Sequence, residues 1–440
     1  NLLDRDSSLF LEQLPNLILS LRFNHDESSL FHAHVNSNNN EQIVSDSRAS
    51  EMNARTAPII TFFKKNTPCL VIISPVRATV CPKYLDVRNQ MITSELFGTA
   101  PCGTPVHRYT LNGPEICVRI MDYGATVLGI DVPDIPGNVR DVVLGFDKLE
   151  DYFDNPACFG ATIGPVANRT AGATITIDGT DWHMPANEGA NNLHSDLEHG
   201  LHKRVWDVEL DEVHNAVRMT TSLEDGELGL PGNRTFTAVF TVTRTGVFRI
   251  EYGCESDRAT YVSMTNHTYF NLAGHNAGMD CEHFFVANAT HYLPINEQNI
   301  PTGEIAPVEG TPFDFRELRP VAPGMEADDP QIKQVRGYDH CLCIDGYQYG
   351  RNLRRALHVE EMWTGRELDY YTTAPGVQLY TGNWLGDEHA KDDANYGWGA
   401  GFALEAEMYP DTPHQPLFPQ GIVGPGHPYS NVIEYHLMRH

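Results

Sequence analysis

The sequence predicts an all-β fold, built as a large antiparallel β-sandwich. Three observations lead there. Short runs of β-branched and aromatic residues recur from Phe97 to the end of the chain, separated by Gly and Pro. The 440 residues include 36 glycines and 28 prolines, a density that suits many turns between short strands. Helical periodicity is scarce, and no repeat of about 40 residues marks a propeller or solenoid. A hydrophobic content of 41% is enough for one large core, and single all-β domains can exceed the common domain size.

In chain order, residues 1–90 stand apart. Residues 36–40 are a polar low-complexity patch, and the one apolar run, residues 69–73, is short. Met91 opens a segment that leads directly into strand-like sequence. The expectation is therefore a domain over residues 91–440, preceded by residues 1–90 as an extension that is disordered or not native. Strands are expected at residues 107–111, 116–121, 126–132, 141–145 and 174–178. Residues 234–244 form a long β-rich run that Thr245-Gly246 turns into residues 247–254, a hairpin. Further strands are expected at 341–344, 367–373, 377–381 and 402–408, and one or two helical turns at 148–153. Residues 262–272 begin as a strand and carry His267 between Asn266 and Asn271. Standing alone, His267 reads first as a core histidine satisfied by its neighbours, and second as an acid or base that titrates near neutral pH.

Composition excludes several classes. A net charge of −27 repels nucleic acid and anionic membrane, so neither is expected as a partner. No run approaches the roughly 18 apolar residues of a membrane helix. Residues 9–23 are apolar in patches, but Glu12, Gln13, Asn16 and Arg22 break them, so no clean signal peptide is seen. The nine cysteines include no CxxC pair and read as mostly buried, reduced thiols of a cytoplasmic protein. No GxGxxG follows a strand, and neither a P-loop nor a GxSxG elbow occurs. The one His-x-x-x-His spacing, His436 and His440, has no carboxylate between. No metal and no cofactor is expected.

Four further stretches put polar groups where a strand-rich fold could converge them. Arg169 follows small residues in Gly164-Pro165-Val166-Ala167-Asn168-Arg169, and read alone it is a surface arginine. His194 ends the turn-rich Asn191-Asn192-Leu193-His194, where a solvated loop histidine is the plain reading. Asp339 lies just before the strand beginning at Cys341, in the place of a strand-end cap. Glu405 and Glu407 share one face of a strand while Phe402, Leu404 and Met408 share the other, and such a carboxylate pair is often only the solvent face. What remains is two histidines with carboxylates, amides and aromatic neighbours, a kit for proton transfer on a polar, neutral substrate.

Taken together the chain resembles the galactose mutarotases (aldose 1-epimerases). The resemblance rests on Tyr123-Gly124-Ala125-Thr126, Asp141-Val142-Val143-Leu144-Gly145-Phe146-Asp147, Phe159-Gly160-Ala161-Thr162-Ile163-Gly164, Val166-Ala167-Asn168-Arg169 and Asn192-Leu193-His194. It continues through Asn266-His267-Thr268-Tyr269-Phe270-Asn271-Leu272, Ile300-Pro301-Thr302-Gly303-Glu304, Gly310-Thr311-Pro312-Phe313-Asp314-Phe315, Asp339-His340, and Leu404-Glu405 with Pro410-Asp411. The motifs fall in the family's order from about Phe97 to the end. The resemblance implies a β-sandwich of the galactose mutarotase type with an open sugar cleft and no metal or cofactor. It implies interconversion of the α and β anomers of free aldohexoses such as D-glucose and D-galactose, by a monomer or homodimer. By matching motifs Glu405 would be the general base, His267 the general acid and His194 a second histidine near the ring oxygen. Arg169, Asp339 and Asn168 would bind substrate.

Three positions depart from the family pattern. Ser195-Asp196 follows His194 where Gly-Gly is common, Pro165 stands where Arg is common, and His414 where Asn is frequent. Mutarotation needs one group to take the anomeric proton and another to protonate the ring oxygen. A glutamate and a histidinium meet this, with Asp339 expected to favour the histidine's proton. Trp206, Tyr338 or Trp384 could cover the apolar sugar face. The alternatives are a hexose-6-phosphate 1-epimerase and a non-catalytic sugar-binding protein on the same scaffold.

Overall fold

The computed structural model describes residues 92–278, 283–349, 352–386 and 389–439 in full. The chain divides into two units, Asn1–Pro82 and Lys83–His440. In the first, only the backbone of five short strands is described. Ile18–Arg22, His32–Ser37 and Asn40–Val44 form a three-stranded antiparallel sheet, and Ile59–Lys64 pairs with Thr67–Ile72. Beyond those strands, the expectation for residues 1–90 lies outside the described residues.

The second unit is built on three larger sheets, and every strand pairing described in them is antiparallel. A five-stranded meander runs Ile92–Thr99, Pro105–Gly113, Ile116–Met121, Thr126–Pro133 and Val139–Asp141. A nine-stranded sheet has the order Asp207–Asp211, Ala216–Leu223, Arg234–Val242, Val247–Ser256, Tyr429–Arg439, Arg366–Thr372, Arg354–Glu361, His283–Ala287, Arg319–Pro320. A six-stranded sheet runs Tyr269–Phe270, Phe402–Glu407, Gly376–Tyr380, Asp339–Ile344, Ala289–Tyr292, Ala306–Pro307. Among the described residues no helix is long and apolar enough to cross a membrane.

Period-2 alternation explains how the sheets pack. Phe236, Ala238, Phe240 and Val242 point inward from one strand, and Phe248, Ile250, Tyr252 and Cys254 from its hairpin partner. Phe402, Leu404 and Ala406 of the six-stranded sheet join the same core. The hydroxyl of Tyr370, on the nine-stranded sheet, donates to the Leu404 carbonyl at 2.9 Å across the interface. Each such buried side chain contributes about 1.5–3 kcal/mol of transfer free energy. One face of the six-stranded sheet thus belongs to the core, and the opposite face carries Asp339, Gln378, Tyr380, Glu405 and Glu407.

The expected elements lie close to the observed ones, with three corrections. The run at 141–145 leaves the ladder at Asp141. That carboxylate takes Lys391 Nζ at 2.9 Å and Arg119 Nη2 at 2.7 Å, and it also accepts from the amides of Ile130 and Val143. The chain then crosses to the six-stranded sheet, where the Leu144 amide donates to Tyr269 O. The helix at 148–153 shrinks to Asp151–Asp154. The expected strand within 262–272 is also broken. Thr265–Asn266 pairs with Thr162–Ile163, the chain leaves the ladder at His267, and Tyr269–Phe270 pairs with Phe402–Ala403. Six strands of the nine-stranded sheet were not expected: Asp207–Asp211, His283–Ala287, Arg319–Pro320, and Ala216–Leu223, Arg354–Glu361 and Tyr429–Arg439, in the last three of which outward charged and polar residues interrupt the apolar positions.

Candidate active site

The break at His267 is what makes a site. Its amide donates to Ala161 O at 2.9 Å, and its carbonyl accepts from the Gly160 amide at 3.0 Å. The Asn266 side chain donates to Gly160 O at 3.1 Å and accepts from the Thr268 hydroxyl at 2.5 Å. Asn271 donates to Ala400 O at 3.0 Å. The two amides that flank His267 are thus spent on the main chain. Gly160 is left-handed (φ +67°), and a Cβ there would run into the Val127 carbonyl, so this cradle requires glycine.

His267 Nε2 faces Glu405 Oε1 at 3.6 Å. Both side chains are buried, and among the described residues His267 Nδ1 and Glu405 Oε2 find no hydrogen-bond partner. The solvent-face reading of the Glu405/Glu407 pair therefore fails: all six residues of Phe402–Glu407 are buried. The ring of His194 stands edge-on to His267, with centroids 5.5 Å apart at 81°. Tyr269 lies 5.0 Å and Tyr380 6.4 Å from His267, centroid to centroid.

His194 and Arg169 come from two loops zipped together. Arg169–Thr170 pairs with Asn192–Leu193, and the His194 amide donates to Asn168 O at 3.1 Å. The Asn168 amide in turn donates to His194 Nδ1 at 3.0 Å. The Ser195 hydroxyl accepts from the Val166 amide and donates back to its carbonyl, tying the two loops together. The Pro410-Asp411 turn braces the same segment: the Asp411 amide donates to Arg169 O, and its carboxylate takes the Ala171 amide and His414 Nδ1.

Arg169 forms a two-pronged pair with Glu188 (2.8 and 2.9 Å) and approaches Asp339 Oδ2 at 3.5 Å. Asp339 also accepts from Gln378 Nε2 at 2.7 Å. It opens its strand, Asp339–Ile344, and is bound to side chains across the sheet, which corrects the strand-end-cap reading. The carboxylate facing His267 is Glu405, and Asp339 is committed to Arg169 and Gln378. This corrects the expectation that Asp339 favours the histidine's proton.

A cleft of about 660 Å³ joins these groups, and Glu405, His267, His194, Arg169, Asp339 and Asn168 all line it. Of the three aromatic candidates, Trp206 and Tyr338 are buried in the core, while Trp384 lies at the cleft with 62% of its surface exposed. Arg336 stacks on Trp384 at 4.9 Å. Sequence reasoning missed Glu188, Tyr380 and Gln378. Glu188 sits in a Gly/Asn-rich turn that looks like any surface loop, and the other two become relevant only through cross-strand register, Gln378 opposite Glu405 and Tyr380 opposite Asp339.

Burial governs the protonation of the cleft. It pushes His267 down to about 4 and His194 well below its usual value. It pushes Glu405 well above the carboxylate range, with Glu407 and Asp339 adding to the effect and Arg169 opposing it. Both shifts favour the uncharged forms, a neutral imidazole and a protonated carboxyl, over a buried ion pair.

By residue type, His194, His267 and Glu405 could hold zinc, and one donor atom of each lies within 4.8 Å of the others. His194 argues against it. Its Nδ1 accepts from Asn168, so in the neutral ring Nε2 carries the hydrogen and has no lone pair for a metal. His194 instead offers an N–H donor to whatever fills the cleft. Among the described residues Cys102, Cys158, Cys254, Cys341 and Cys343 are free thiols, the last four of them buried.

A profile of the aldose 1-epimerase family matches residues 107–436. The chain belongs to that family. Galactose mutarotase from Bos taurus is 38% identical over 342 residues, spanning 77% of this chain and 96% of the relative. Aldose 1-epimerase from Escherichia coli (strain K12) is 38% identical over 339 residues, 76% of this chain and 96% of the relative. Among solved structures, an aldose epimerase homologue from C. elegans superposes with a TM-score of 0.69 at 26% identity, covering 75% of this chain and 98% of that one. The architecture described above is the galactose mutarotase fold.

Proposed function

We propose that this protein interconverts the α and β anomers of free aldohexoses such as D-glucose and D-galactose by general acid/base ring opening and closure. The activity is that of its family, aldose 1-epimerisation, an isomerisation. The observation that carries the mechanism is the buried pair His267–Glu405, 3.6 Å apart in the cleft. Hydroxyls of an incoming sugar donate to the Glu405 carboxylate and favour its charged form, and the proton passes to His267. Glu405 then takes the proton of the anomeric hydroxyl while His267 gives its proton to the ring oxygen, and the C1–O5 bond breaks. The aldehyde turns about C1–C2, and closure runs the same transfers in reverse. His194, with its Nε2–H, steadies the ring oxygen as charge builds there. Arg169 and Asp339, with Asn168 beside them, hold the remaining hydroxyls, and Trp384 and Tyr380 offer aromatic faces to the sugar's apolar side.

The cleft chemistry disfavours a 6-phosphate substrate. Among the described lining residues Arg169 is the sole Lys or Arg, and it is engaged by Glu188 and Asp339. A non-catalytic sugar binder would have no use for a buried acid/base pair. Polarimetry on freshly dissolved α-D-glucose tests the proposal. Glu405→Gln and His267→Ala should each slow mutarotation by at least about 10²-fold with the fold intact. Near-normal rates in either variant would refute it.

A further inference from the structure

Glu407 lies two residues beyond Glu405 on the same strand face, fully buried, and the proposed chemistry gives it no task. Its Oε1 accepts from the Asn168 side-chain amide at 2.9 Å. Asn168 is left-handed (φ +61°), a conformation that costs a residue with a Cβ about 1–2 kcal/mol unless its surroundings hold it. In that conformation its main-chain N–H reaches His194 Nδ1 and its carbonyl takes the His194 amide. The chain of contacts runs from Glu407 through Asn168 to His194.

We propose that Glu407 is a positioning residue which, by holding Asn168, locks His194 in the Nε2–H form that donates into the cleft. The proposal rests on the aldose 1-epimerase reading for its kinetic consequence but not for the lock itself. Without the Glu407 acceptor, the Asn168 side-chain NH2 is buried without its partner, and the side chain is held only through its oxygen, which accepts from the Arg169 amide at 2.7 Å. His194 is then free to take the other tautomer, which presents a lone pair where the ring oxygen needs a donor. Burial, and Asp339 behind it, push Glu407 up to about 8. It therefore serves as an acceptor at neutral pH without a full second negative charge beside Glu405.

The test compares Glu407→Gln, which keeps an acceptor oxygen, with Glu407→Met, which keeps the volume and removes the acceptor. In full-length protein labelled with ¹⁵N-histidine, His194 should show a protonated Nε2 and a bare Nδ1 in the wild type and in Glu407→Gln, and a tautomer mixture in Glu407→Met. Mutarotation kcat should fall about tenfold or more in Glu407→Met, with KM changed much less, and recover in Glu407→Gln. A wild-type His194 protonated at Nδ1 would overturn the proposal. So would a Glu407→Met protein with unchanged kcat and tautomer, or a Glu407→Gln protein as impaired as Glu407→Met. Should Glu407→Met not fold, the spectra of wild type and Glu407→Gln decide alone: Nε2–H in both supports the lock, Nδ1–H in either defeats it. A wild type without mutarotase activity would sink the functional reading while leaving the tautomer result to stand by itself.

Discussion

Replacing Glu405 by glutamine removes one proton site from a pair that works by sharing a proton. The amide has nearly the same shape, so packing in the Phe402–Glu407 strand is preserved and the change is chemical. At 3.6 Å and an effective dielectric of about 20, a Glu405 carboxylate supports a charged His267 by about 4–5 kcal/mol, a factor of about 10³ in its protonation. The variant loses that support, and it also loses the base for the anomeric hydroxyl, which should lower kcat by at least about 10²-fold, or about 2.7 kcal/mol of barrier. The pH profile gives a second reading. In the wild type kcat/KM requires one proton on the pair. Activity is lost as pH falls through about 4, where His267 takes a second proton. It is lost again as pH rises through the elevated value of Glu405, where the pair gives up its only proton. In Glu405→Gln His267 alone of the pair still titrates and must be protonated to act as the acid, so the acid limb should vanish and the alkaline limb should move down toward the His267 value. Polarimetry from pH 4 to 9 on both proteins measures this. A Glu405→Gln rate within about tenfold of wild type would refute the reasoning, as would a wild-type acid limb at the usual histidine value of about 6.5.

Other outcomes follow from the same geometry. Burial depresses His202, His283 and His340 to about 3 and His267 to about 4. Their folded values lie below the unfolded one, so the unfolded chain binds more protons and stability falls as pH drops from about 6.5, by up to about 1.4 kcal/mol per pH unit for each histidine. Glu405 and Glu407, both raised by burial, work the other way above about 4.5 but offset only two of these protons, so urea unfolding should show a net loss of stability between pH 7 and pH 5. Gly160→Ala should cost about 2–4 kcal/mol and impair mutarotation, because it forces the cradle of His267 away from the Val127 carbonyl; a thermal melt reads the first effect and polarimetry the second. Glucose 6-phosphate should be turned over with kcat/KM at least about tenfold below that of glucose, since Arg169 is held by Glu188 and Asp339. Equal rates on the two sugars would reopen the phosphate alternative.

The fold class was legible because β-branched alternation and turn residues are local signals. The hairpin at Arg234–Val242 and Val247–Ser256 could be read from Thr245-Gly246 alone, and the inward face of Phe402–Glu407 from its spacing. Strands with outward charge, such as Arg354–Glu361, were not legible, because their apolar positions acquire meaning only beside their neighbours. Within 262–272 the propensity signal predicted one strand, and tertiary context split it: His267 still bonds to Gly160 and Ala161, beside the Thr162–Ile163 pairing, and Tyr269–Phe270 then changes partner to the Phe402–Glu407 strand. The family motifs named Glu405, His267, His194, Arg169, Asp339 and Asn168, and the cleft gathers all six on its walls. Glu188 and Gln378 carried no signal, since their relevance lies in what faces them.

By itself the sequence determined the residue types, their order and the strand alternation, which together specify an antiparallel sandwich with the motifs of one family. It could not determine protonation. Burial that only the packed structure creates turns His267 from a group poised near neutrality into one that resists a proton, and raises Glu405 above the carboxylate range. The fold likewise decided that Glu405, not Asp339, faces His267, and that the Asn168 amide chooses the tautomer of His194. These are consequences of distance and desolvation, and neither is written in the spacing of residues along a chain.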